Sequence, residues 1–123
     1  MILVDTSVWI DHLRHGDVEL KELLNTGRVL THRFVIGELA LGSLQNRDTV
    51  LDALKNLPQA ANATDEEVLH FIAHHALSGS GIGYIDAHLL AAVRLSPGAS
   101  LWTRDKRLLA ESVRLGLCAN LTG

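Results

Sequence analysis

Four acidic residues, Asp5, Glu38, Asp86 and Asp105, stand within or directly after strongly apolar runs. Glu38 is the only charged residue between Phe34 and Leu44, in a segment that is otherwise apolar nearly all round. A carboxylate buried alone costs several kcal/mol unless it is paired or bound to a metal. Asp86 lies in Ile82-Gly83-Tyr84-Ile85-Asp86-Ala87-His88-Leu89-Leu90-Ala91-Ala92-Val93. Leu90 and Val93 follow it at i+4 and i+7, so on a helix it shares their stripe. Asp5 and Asp105 each end an apolar run that reads as a strand and stand before a segment that reads as a helix.

Each acid taken singly has an ordinary explanation. Glu38 could face a narrow solvent edge, Asp86 could favour the positive end of its helix, and Asp5 and Asp105 could be N-caps. Together they point to chemistry. Four anionic groups brought to one edge of a sheet would repel, and some would take up protons unless a cation lay between them. Oxygen-only donors suit Mg²⁺ or Mn²⁺ better than zinc. Such a centre activates water for in-line attack on a phosphate and stabilises the charge that develops. Ser7 and Thr103 read either as capping hydroxyls or as supports for the metal-binding carboxylates. Arg104, Lys106 and Arg107 around Asp105 read either as a solvated helical turn or as a basic rim for a phosphate backbone.

The elements that would position these residues follow from hydrophobic spacing. Residues 1–4, 29–31 and 99–103 read as strands, with weaker strand signals at 60–62 and 117–121. Helices are expected over 8–13, 18–25, 33–44, 48–57, 64–77, 83–95 and 105–115, with a capping box opening at Thr64. Strands alternating with helices imply an α/β fold, a central parallel sheet of four to five short strands flanked by about seven helices in three layers. Sites in such folds gather beyond the carboxyl ends of the strands. The 123 residues make one domain, residues 1–123, with no repeats or linkers.

Composition narrows the class. The net charge of −3 excludes a globally basic nucleic-acid binder, so any such role needs a local basic patch. The lone Cys118 cannot pair internally and suits a reducing compartment. Met1-Ile2-Leu3-Val4-Asp5 carries none of the marks of a secretory leader, and no apolar run approaches a membrane span. A cytoplasmic location is expected. His70 and His74 are spaced like zinc ligands on a helix but lack the glutamate of a His-Glu-x-x-His motif, and His74 and His75 read as surface residues. The glycines at 79, 81 and 83 lack the Lys-Ser/Thr ending of a nucleotide-binding loop.

Four segments together carry a family likeness. They are Leu3-Val4-Asp5-Thr6-Ser7-Val8-Trp9-Ile10, Ile36-Gly37-Glu38-Leu39, Gly81-Ile82-Gly83-Tyr84-Ile85-Asp86-Ala87-His88, and Leu101-Trp102-Thr103-Arg104-Asp105-Lys106-Arg107-Leu108. In order and spacing the chain resembles the PIN-domain ribonucleases, specifically the VapC-type toxins of toxin–antitoxin pairs, over essentially its whole length. The resemblance implies Mg²⁺- or Mn²⁺-dependent RNA cleavage at a metal site made by Asp5, Glu38, Asp86 and Asp105, with Thr103 as the supporting hydroxyl. It also implies a homodimer, RNA as substrate (transfer or ribosomal), a VapB-like antitoxin lying over the groove, and DNA contact only through that antitoxin. Two other readings keep the same residues: a metal-dependent phosphatase or phosphotransfer domain, and a non-catalytic RNA-binding module. Against the first, Ser7 stands where an aspartyl phosphatase wants its second Asp.

Overall fold

The structure, a computed structural model, describes residues 1–121. The apolar run Ile2–Val4 forms the central strand β1. It pairs in parallel with β2 (Val29–Leu30) on one side and β3 (Ser100–Trp102) on the other, in the order β2-β1-β3. Leu3 stands beside Leu30 and Leu101, and Val4 beside Trp102. Leu3, Val4 and Leu101 are wholly enclosed, as befits a parallel sheet covered by helices on both faces.

Around the sheet lie α1 (Thr6–His15), α2 (Val18–Asn25), α3 (Arg33–Leu41), α4 (Arg47–Lys55), α5 (Asp65–His74), α6 (Tyr84–Leu95) and α7 (Lys106–Arg114). Helix α1 packs on α3, α3 on α4, α5 on α6, and α6 on β3. The fold is thus the expected α/β architecture with seven helices among the described residues. None of them is long and apolar enough to cross a membrane.

Local chemistry sets the helix starts. Asp17 accepts the Leu20 N–H at 2.8 Å. Thr64 and Glu67 form the reciprocal box, at 3.1 and 2.9 Å, that their spacing predicts. Three expectations need correction. The sheet has three strands rather than four to five. The outer segments at 59 and 118 make only isolated parallel bridges, to Thr31 and Leu101. Ala61 then turns its N–H to the Ser96 hydroxyl at 2.9 Å and leaves the ladder. Helix α3 ends at Leu41 instead of 44, with the Gly42 N–H closing onto Leu39 O at 3.1 Å. Leu41 is 91% exposed, so α3 is not buried all round as its composition suggests.

His32 opens α3 in a way its sequence position does not announce. Its Nδ1 accepts the Phe34 N–H at 3.0 Å, which places the ring proton on Nε2. The residue is 1% exposed, and Nε2 has no partner among the described residues. Burial, with the nearby charges of Arg33 and His88, holds its pKa down from 6.5 to about 4. The unfolded chain therefore takes up a proton that the folded one refuses. Its contribution is complete above pH 6.5 and is lost as the pH falls toward 4, a change of about 3 kcal/mol. His32→Asn keeps a capping acceptor but cannot titrate. Urea denaturation across pH 7 to pH 4 is expected to show the wild-type advantage shrinking by about that amount; parallel curves for the two proteins would refute the assignment.

Candidate metal centre

The β1–β3 register sets the residues that follow the two strands side by side. Asp5 continues the pairing, its N–H donating to Trp102 O at 2.9 Å. It occupies the N-cap position of α1, yet its side chain caps nothing. Instead one oxygen, Oδ2, accepts the Thr103 hydroxyl at 2.7 Å and the Ser7 hydroxyl at 2.8 Å. Each hydroxyl is held from behind by a backbone donor: the Arg104 N–H reaches Ser7 Oγ at 3.0 Å and the Asp105 N–H reaches Thr103 Oγ1 at 3.1 Å. These bonds lace residues 5–7 to residues 103–105.

The other acids are held from one side in the same manner. Glu38 is half-buried on α3, and its Oε1 accepts the Thr6 hydroxyl at 2.7 Å. Asp86 lies in the first turn of α6, and its Oδ2 accepts the Gly83 N–H at 3.2 Å. Asp105 caps α7, its Oδ1 accepting the Leu108 N–H at 2.9 Å. The local explanations thus hold for Asp86 and Asp105 and fail for Asp5. In every case one carboxylate oxygen is committed, while among the described residues Asp5 Oδ1, Glu38 Oε2, Asp86 Oδ1 and Asp105 Oδ2 have no protein hydrogen bond.

The acids share one electrostatic environment. Burial pushes the Asp86 carboxyl above its usual range, and the charges of Asp5, Asp105 and Glu38 push it the same way against the Gly83 N–H. Among the described residues, however, no three His, Cys, Asp or Glu side chains are drawn close enough to enclose an ion. All four offer oxygen donors only, the chemistry that a hard divalent cation takes.

Beside Glu38 a groove of about 620 Å³ opens between α1 and the loop after α3, lined by Ile10, Leu13, Arg14, His15, Leu39 and Leu44 among others. The basic residues beside Asp105 are placed less simply. Arg104 stands over Trp102 but pairs with Asp11 at 2.7 Å and with Asp17. Arg107 leans against Gly81, and Lys106 is exposed. Thr6 was not foreseen as a support, although the run Asp5-Thr6-Ser7 presents three oxygen-bearing side chains in succession at the strand's end. Of the histidines, His74 is exposed as expected and His75 half-buried, whereas His32 and His88 are core residues.

The PIN domain family model matches residues 2–112. The chain belongs to the PIN-domain family. Its relatives include Ribonuclease VapC32 from two strains of Mycobacterium tuberculosis, CDC 1551 / Oshkosh and H37Rv. Each is 53% identical over 117 residues, spanning 95% of this chain and 94% of the relative. The crystal structure of PAE2754 from Pyrobaculum aerophilum covers 94% of this chain and 88% of its own, with a TM-score of 0.59. At 20% identity that likeness speaks to the PIN fold alone.

The lacing of Asp5 yields a test inside this PIN domain. Thr103→Val removes a hydroxyl while keeping shape. It is expected to weaken Mn²⁺ binding, measured by titration calorimetry, about 10- to 100-fold while circular dichroism stays unchanged. Unaltered affinity would show that Thr103 does not orient Asp5 for a metal.

Proposed function

We propose that this PIN domain is a divalent-metal-dependent endoribonuclease acting as the toxin of a VapBC-like pair. The observation that carries the reading is Asp5: a buried carboxylate at the end of the central strand, turned away from its helix and onto two hydroxyls, whose charge is felt at Asp86 together with those of Asp105 and Glu38. The 53% identity to Ribonuclease VapC32 supports the same conclusion from sequence.

On this reading Asp5, Glu38, Asp86 and Asp105 hold Mg²⁺ or Mn²⁺, which when bound supplies a more acidic water and charge neutralisation at the scissile phosphate. The protein's own part is positional. Ser7, Thr103 and Thr6 fix the carboxylate orientations, and the Gly83 and Leu108 N–H groups fix the other two. Lys106 and Arg107 supply positive charge at the mouth, and Arg104 adds to it only what Asp11 and Asp17 leave.

A VapB-like antitoxin is the partner this reading entails, and the groove beside Glu38, with Ile10 and Leu13 partly exposed along it, suits an apolar segment. Exposed Leu69 on α5 and Leu95 on α6 are where we place a homodimer contact. DNA would be met only through the antitoxin. A cytoplasmic site of action goes with cellular transfer or ribosomal RNA as target.

Asp5→Asn is nearly isosteric and is expected to abolish cleavage of total RNA in Mn²⁺, a loss of at least about 100-fold, and to relieve growth arrest on expression. Chelation with EDTA should silence the wild type and added Mn²⁺ restore it. Cleavage that survives both treatments would overturn the proposal, and hydrolysis of small phosphate esters in preference to RNA would move the protein to the phosphatase reading.

A further inference from the structure

The first turns of α3 and α6 carry a cluster of rings that holding a metal does not require. Arg33 lies over the Phe34 ring, its guanidinium carbon 4.3 Å from the centroid, and its Nε donates to Asn62 Oδ1 at 3.3 Å. Phe34 meets His88 edge to face at 4.8 Å, and His88 meets Tyr84 in the same way at 4.7 Å. Asp65 closes the cluster. It accepts the Tyr84 hydroxyl at 2.7 Å and lies 3.1 Å from His88 Nε2. Tyr84 is nevertheless 45% exposed and Arg33 is exposed. A surface tyrosine or arginine ordinarily samples several rotamers. Here both side chains have partners that hold them in place while each stays partly open to solvent.

Their position matters. Phe34 precedes Glu38 by one helical turn on the same stripe of α3, about 6 Å along the axis. Tyr84 stands two residues before Asp86 at the start of α6. The cluster therefore reaches to within one turn of Glu38 along α3, on elements different from the segment that carries Arg104, Lys106 and Arg107. We propose that the outward faces of Arg33 and Tyr84, backed by Phe34 and His88, form a stacking subsite for an unpaired base of single-stranded RNA next to the phosphate at the acids; this rests on the ribonuclease reading above.

Unpaired bases stack on aromatic rings and on arginine planes, whereas bases in a duplex are already stacked on one another. A protein partner would be drawn to an apolar surface, and this one is a cation over a ring with a hydroxyl tied at its side. Arg33 also supplies backbone attraction where Arg104 cannot do so fully, since Asp11 and Asp17 engage it. Asp65 is held below its ordinary carboxylate range, chiefly by the Tyr84 hydroxyl, so the tie that orients Tyr84 persists wherever an RNA enzyme would work.

The experiment uses the full chain with Asp5→Asn to prevent cleavage, a short fluorescent oligoribonucleotide, and its duplex form as the control. Adding Tyr84→Ala or Arg33→Ala should weaken single-stranded binding about tenfold each and leave the duplex unaffected. Tyr84→Phe should stay within about threefold of the parent, because the ring remains. Arg33→Lys should behave like Arg33→Ala, because charge without the plane does not stack. In the cleaving enzyme Tyr84→Ala should raise KM and spare kcat. Unchanged affinity and KM in both alanine variants, with unchanged circular dichroism, would overturn the subsite. Equal losses for Tyr84→Phe and Tyr84→Ala would reduce Tyr84 to a structural tie to Asp65 and overturn it as well. If the wild type cuts no RNA in Mn²⁺, the ribonuclease reading itself fails and the subsite falls with it. If instead the wild type cuts while the alanine variants match it, only the subsite is lost.

Discussion

Asp5 is 5% exposed, and a carboxylate so far from water needs either protein donors or a cation to hold its charge. Two hydroxyl donors reach one of its oxygens, both from residues placed by the sheet: Ser7 just past β1 and Thr103 just past β3. That arrangement depends on the pairing of Val4 with Trp102. The pairing in turn depends on Leu3, Val4 and Leu101 being buried on both faces of a parallel sheet. A slip of one residue in β1 or β3 would move the core side chains to the opposite face of the sheet, against the wrong helices, and carry Thr103 away from Asp5 together. The hydrophobic pattern of the strands and the geometry of the acidic centre are one constraint seen at two scales.

The same economy governs the other three carboxylates. Each gives one oxygen to a donor on its own side of the site: the Thr6 hydroxyl, the Gly83 N–H or the Leu108 N–H. Anchoring one oxygen fixes the direction of the other without neutralising the charge. The result is a set of oriented but unsatisfied acids, whose mutual repulsion and partial burial appear at Asp86 as a resistance to ionisation. An arrangement that served stability alone would have replaced one of these acids with an amide or matched it with a lysine. On the proposed reading the four are tolerated because a cation from solution meets them.

Much of this could be read in the sequence because the informative residues break local rules. A continuous apolar run at residues 1–4 is the mark of a strand buried on both faces, and Glu38 within an oily helix is a charge in need of a reason. Element types and order followed from spacing, and the capping box at Thr64 formed as its residues suggest. What spacing could not show were pairings made across the fold. The outer sheet segment at Gln59 ends as a single bridge because Ala61 finds a side-chain acceptor in Ser96. Arg104 meets Asp11 and Asp17 through the path of the chain between α1 and α2. The burial of His32 and His88 depends on Phe34 lying against both rings. Leu41 shows the opposite error, an apolar residue left outside because Gly42 stops its helix.

The charge distribution raises a last question of physics. A chain with net charge −3 that gathers four acids at its working edge is poorly suited to draw in a polyanion by long-range attraction. Of the basic residues nearest Asp105, Lys106 and Arg107 offset this only in part, since Arg104 spends its charge on Asp11 and Asp17. On the proposed reading attraction comes at short range, from a divalent cation that would invert the sign of the acidic centre and from contacts that do not depend on net charge. Stacking is such a contact. A plane such as Arg33 over Phe34 holds a base by its face and a phosphate by its charge from one side chain. On that reading occupancy of the acids would be the condition for engaging the backbone, and the rings on α3 and α6 would select strands whose bases are already unpaired.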